Sequence, residues 1–220
     1  MRPPRPKGVP RNIPAWAWKW LKWREAPSPA PVPPPIPTPP PPKPKPPPPP
    51  KPKPPSQMFM FDDVNVALIP KDAEAVAGYV DGHWKTWERI VTAFPKARHL
   101  SIAVFASDDA RCLDVEPGDA TPAQAASWVR RQKQRGEKKP VVYTNASSGQ
   151  ALINALTKAG LRYGVDYLWW SAHYDPRLGK HLCSPKCGFG LKVTAHATQF
   201  TDKALGRSLD ESVCSPGFFS

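Results

Sequence analysis

Two carboxylates stand two residues apart in Leu113-Asp114-Val115-Glu116, and Pro117-Gly118 ends the segment at once. A strand sends alternate side chains to opposite faces, so Asp114 and Glu116 point one way and Leu113 and Val115 the other. Paired acids on one face at the end of a strand suit acid–base chemistry. A solvated edge strand gives the same pattern. The elements around the pair decide between the two.

Those elements occupy only part of the 220 residues. Of 33 prolines, 25 precede Gln57, and residues 1–57 carry eleven Lys and Arg against Glu25 alone, which is +10 of the formal +13. The remaining 163 residues hold 20 basic and 17 acidic side chains, so the basic character belongs to an arm. Three segments follow: a basic, Trp-rich stretch at 1–26, a Pro/Lys-rich linker at 27–57, and one domain at 58–220. The linker predicts a polyproline II spacer of about 3.1 Å per residue. Trp16, Trp18, Trp20 and Trp23, interleaved with Lys19 and Lys22, suit docking to an anionic wall polymer, a lipid surface or a protein partner. No nucleic-acid recognition pattern accompanies them. No run is long enough to span a membrane, and the two lysines break up a secretory signal, so action outside the cell would need release by lysis, an export aid or residence in a virion.

Within 58–220, strand patterns at 58–61, 75–80, 99–105, 111–116, 140–144, 167–171, 191–200 and 207–210 alternate with helical patterns at 83–94, 121–135 and 148–159. Thr121-Pro122 reads as a helix start, and Gly136 and Gly160 as stops. Alternating strands and helices predict parallel pairing. The expected fold is an α/β (β/α)8-like (TIM-type) barrel, small, with reduced helices in its last units. Such a barrel collects reactive groups at the C-terminal ends of its strands. Asp62 would end the first strand, Asp114 and Glu116 the fourth, and Asp210 the eighth.

These residues resemble glycoside hydrolase family 25, the lysozyme-like muramidases, and look closest to its compact actinobacterial and phage branch. The matching pieces are Phe61-Asp62, Leu113-Asp114-Val115-Glu116, Val142-Tyr-Thr-Asn145, Leu168-Trp-Trp-Ser-Ala-His-Tyr174, Thr198-Gln-Phe200 and Leu209-Asp210, covering about residues 58–214. The resemblance implies an endolysin-like peptidoglycan hydrolase that cleaves the β-1,4 bond between N-acetylmuramic acid and N-acetylglucosamine. It implies Glu116 as general acid, with its pKa raised by neighbouring acids. Asp114 would be the nucleophile or the group that orients a substrate acetamide, and Asp62 and Asp210 would position the pair. Two departures stand out. Asp63 follows Asp62 and rivals it, and Leu209-Asp210-Glu211-Ser212 replaces the commoner Asp-x-Asn.

Sugar rings present apolar faces, so a carbohydrate cleft needs aromatics. Tyr79, Tyr143, Trp170 and Tyr174 are the candidates near strand ends; Trp169 and Trp170 point to opposite sides, so at most one faces the interior. His181, Cys183 and Cys187 could supply three zinc ligands, but no fourth lies nearby, and a local Cys183–Cys187 disulfide is the preferred expectation. His173 and His196 are expected to make structural hydrogen bonds. No metal or cofactor is expected. Two other readings compete with the hydrolase: a catalytically silent wall-binding or virion module on the same barrel, and a metal-dependent phosphodiesterase.

Overall fold

The chain divides into two units, Met1–Lys51 and Pro52–Ser220, and the computed structural model describes residues 57–220. The Trp-rich segment and the linker up to residue 56 lie outside the described residues. Eight strands close into a barrel in chain order: β1 (Met58–Asp62), β2 (Ala75–Tyr79), β3 (Arg98–Ala103), β4 (Cys112–Asp114), β5 (Val141–Asn145), β6 (Leu168–Ala172), β7 (Ala197–Thr201) and β8 (Asp210–Cys214). The described residues form three α-helices, α1 (Trp87–Ala93), α2 (Pro122–Gln134) and α3 (Ala146–Lys158). None is long and apolar enough to cross a membrane.

The barrel is α/β but mixed. Strands β1 to β7 pair in parallel, whereas β8 is antiparallel to both β7 and β1. The parallel strand expected at 207–210 is thus replaced by one at Asp210–Cys214 running the other way. Its cause is the connection from β7, which spans only residues 202–209 and holds a single 3-10 turn. A parallel return needs a crossover of a dozen residues or more. The reversal has a consequence for the acids. Asp210 begins its strand instead of ending it, yet it lies on the rim where β1 ends, in register with Asp62.

Period-two alternation sorts the barrel residues. Met60, Ala77, Ile102, Cys112, Val141, Trp170, Ala197 and Cys214 fill the interior. Leu113, Val142 and Trp169 point outward into a second core with Trp128 of α2 and Leu152, Ile153 and Leu156 of α3, and Val76 packs outward with Ile90 of α1. Helix α2 starts as its Thr-Pro signal predicts: Gln124 Oε1 accepts from the Thr121 backbone N–H at 2.9 Å, with Pro122 in the first turn. Helix α3 starts at Ala146, two residues before the predicted position, because Asn145 ends β5 and caps the helix at once. Its side-chain oxygen accepts from the Ser148 N–H at 3.0 Å. This helix lies so close to β6 that a Cβ added at Gly149 would come within 2.3 Å of Trp169 Cζ2. At the opposite end from the acids, Phe218 is buried in the interior cluster, and its carbonyl accepts from Arg111 Nη2 at 3.2 Å.

Candidate active site

The strand register brings Asp62, Asp114, Glu116 and Asp210 to one end of the barrel. Asp62 and Asp114 are 4% and 5% exposed, each following an interior residue, Met60 and Cys112, by two positions along its strand. The Oδ1 atom of each is buried without a hydrogen bond. Asp63 turns away from this group; its Oδ1 accepts from the Asn65 N–H at 2.6 Å and shapes the turn after β1. Asp210 is half-buried.

Burial is the first cause of every shift in this group, ahead of the like-charge repulsion expected from the sequence. Burial raises Asp62 well above the ordinary carboxylate range, reinforced by Asp210, Asp63 and Asp114. Asp114 is pushed up to about 8 by burial, then by Glu116, Asp119 and Asp81. Asp210 rises to about 7 through burial, Asp63 and Asp202, against a hydrogen bond from Gln199 that favours its charge. Glu116 is raised less simply. Burial lifts it, while Asn145 holds its charged form, the backbone N–H and Nδ2 both donating to Oε1 at 3.1 and 3.4 Å. Asn145 thus ties Glu116 to the positive end of α3.

The expected aromatics divide into two pairs. Trp170 is 2% exposed and donates its indole N–H to Ser212 Oγ at 3.0 Å. Tyr143 packs against it at a tilt of 59°, with ring centroids 4.5 Å apart, and donates its hydroxyl to Gln199 Oε1 at 2.6 Å. Both are buried inside the barrel beneath the acids, and neither lines the cleft that Tyr79 borders. Tyr79 is half-buried and lines a cleft, and Tyr174 is exposed. Partial burial of its hydroxyl raises Tyr174 first, reinforced by Asp210, Asp62, Asp202 and Glu116.

That cleft, about 380 Å³, is lined by Tyr79, Asp114, Glu116, Asp119, Trp84 and Phe105. The last three were not singled out from the sequence. Trp84 was assigned to the apolar face of a helix from 83, but α1 begins only at Trp87, which leaves Trp84 on the preceding loop and largely exposed. Phe105 was assigned to the third strand, but β3 stops at Ala103 and Phe105 turns outward. Asp81 explains the turn: its two carboxylate oxygens accept from the backbone N–H groups of Val104 and Phe105 at 2.8 and 3.0 Å. Asp81-Gly82 reads in sequence as a strand terminator; that a carboxylate there could seize the next strand's end was the missed signal. The site is therefore a half-open slot with protonatable carboxyls at its base and two exposed aromatics at its sides. It can donate protons, hold a polar ligand by hydrogen bonds and stack an apolar ring face.

No protein-family model matches the chain, and no curated protein matches it. Among solved structures it is similar to an uncharacterized B. stearothermophilus protein determined at 1.07 Å. The two share 12% identity at a TM-score of 0.48, over 72% of this chain and 96% of that one.

Proposed function

We propose that the domain is a glycoside hydrolase of the family 25 kind, a (β/α)8-type barrel with reduced late units that acts on bacterial peptidoglycan as an N-acetylmuramidase. One observation carries the reading: Asp114 and Glu116 both line a cleft flanked by Trp84 and Phe105, with Asp62 and Asp210 on the same rim. A sugar chain needs aromatic faces to lie against and a protonated carboxyl at its glycosidic oxygen.

Glu116 is the general acid. Asn145 occupies its Oε1, so the proton for the leaving oxygen sits on Oε2. Asp114, pushed up to about 8, keeps its proton in the free site at neutral pH and is then a poor nucleophile. Either role, nucleophile or group that orients a substrate acetamide, requires Asp114 to give up that proton once substrate is bound. Asp62 and Asp210, register partners across β1 and β8, set the field at the base of the slot. In this reading the working location is the bacterial wall, reached after lysis, through export or on a virion.

The test is digestion of purified peptidoglycan by the full chain, followed by reducing-end assay and mass spectrometry of the fragments. Wild type should release muramic acid reducing ends. Glu116→Gln should lose about 10²-fold or more of that rate with an unchanged circular dichroism spectrum. Wall binding by wild type with no reducing ends would replace this reading with the silent binding module. Turnover of phosphodiesters that needs added magnesium would replace it with the metal-dependent phosphodiesterase.

A further inference from the structure

The connection from β6 to β7 runs over residues 173–196 with one 3-10 turn, Pro185–Cys187, as its only regular structure. Connections of this length without their own elements are uncommon in compact domains. Three side chains converge within it, and a fourth, Cys183, stands beside them. The His173, His181 and Cys187 ligand atoms all lie within 4.8 Å of one another. His181 Nε2 is 3.0 Å from His173 Nδ1, and Cys183 Sγ is 3.5 Å from the same Nδ1. All four cysteines of the chain are free; the expected Cys183–Cys187 disulfide is not formed. Cys187 faces both imidazoles, whereas Cys183 meets His173 and the Cys187 thiol. His173 is the further group that the sequence did not reveal, because it directly follows β6, eight residues before His181.

We infer that His173, His181, Cys183 and Cys187 form a structural zinc site. Zinc–nitrogen and zinc–sulfur bonds of about 2.0–2.1 and 2.3 Å in a tetrahedron place neighbouring donors about 3.3–3.8 Å apart. The observed 3.0 and 3.5 Å separations are already near those edges. The outer contacts agree. The Gly179 carbonyl, which can only accept, lies 2.8 Å from His181 Nδ1. This puts the proton there and leaves Nε2 as the free lone pair, the arrangement found behind metal-bound imidazoles. The Ser184 N–H donates to Cys187 Sγ at 3.4 Å, and the Cys183 N–H donates to Thr198 Oγ1 on β7 at 2.8 Å.

A second, independent observation is the backbone just beyond. Gly188, Phe189 and Gly190 all have positive φ, and Phe189, a bulky residue at φ +57°, packs edge-on against His173 with centroids 5.0 Å apart. Such a conformation persists only where the surroundings hold it. Two thiols release their protons as they bind, and the two thiolates balance the ion, so the loaded site is neutral in its half-buried setting. The site would fasten His173, and with it the neighbouring Tyr174 at the carboxylate rim, to the middle of the loop.

The experiment takes the full chain, reduced and stripped of metal, and titrates it with zinc and with cobalt(II). One equivalent should bind, cobalt should give the tetrahedral visible spectrum with thiolate charge transfer, and the melting temperature should rise. Cys187 should alkylate in the stripped protein and be protected in the loaded one. His181→Ala and Cys187→Ser, both at half-exposed positions that keep the barrel intact, should each weaken zinc by at least about 100-fold, beyond the loss a supporting contact produces. Absence of uptake by the reduced chain would overturn the inference, as would uptake indifferent to both substitutions. A Cys183–Cys187 cross-link in the protein isolated without reductant, with no zinc bound after reduction, would restore the disulfide. None of these readouts depends on glycosidase activity.

Discussion

At the scale of single residues, the site is governed by burial. Asp114 sits 5% exposed with a folded pKa of about 8 against an ordinary 3.8. A raised carboxyl pKa means that the fold prefers the protonated form. Its contribution to stability is full below about pH 4 and is lost as pH rises through about 8. Asp210, at about 7, and Asp62, also raised, act in the same direction. The barrel should therefore lose stability between pH 4 and pH 9, contrary to the usual behaviour of surface carboxylates. Asp114→Asn keeps the neutral shape at every pH. By calorimetry it should melt about 4 °C or more above wild type at pH 9 and within about 2 °C of it at pH 4. An equal shift at both pH values would mean that the carboxyl is not held protonated by the fold. The sequence made Asp114 and Glu116 conspicuous through their spacing. It could not show which is deeper, because depth depends on how far β4 projects past its neighbours.

At the scale of elements, helix starts and strand patterns were the legible part. Thr121-Pro122 gave the start of α2, and the apolar run Met58–Phe61, ended by Asp62-Asp63, gave β1, since both signals are local chemistry. Three things were not local. The direction of β8 follows from the length of the connection before it, and a short acidic segment reads alike in either direction. The exposure of Trp84 follows from α1 starting late. His173 joins the zinc-type cluster only because β6 ends beside the loop that returns to it. A further element-level feature is the contact of α3 with β6. Gly149 lies against the Trp169 ring with no room for a methyl group, so Gly149→Ala must move the helix or the indole. Despite the better helix propensity of alanine, it should cost about 2 kcal/mol or more in chemical denaturation. A neutral or stabilising result would mean that the helix can shift freely on the sheet.

At the scale of the whole molecule, the charge is divided unequally between the arm and the domain. We propose that the Trp-rich segment 1–26 docks to a wall polymer or partner while the domain supplies turnover. Deleting residues 1–26 should reduce co-sedimentation with isolated walls by about tenfold or more, the scale expected when one of two linked contacts is removed. Hydrolysis of small soluble fragments should stay unchanged; a matching fall there would place the arm in the chemistry.

The antiparallel eighth strand bears on how such a barrel can be attached to anything. Met58 at the start of β1 and Cys214 at the end of β8 are register partners, at the end away from Asp62 and Asp210. Incoming and outgoing chain thus share one pole of the barrel, and the carboxylates hold the other. A domain or support joined directly before Met58 or just after β8 would therefore meet the barrel at the pole away from the open slot.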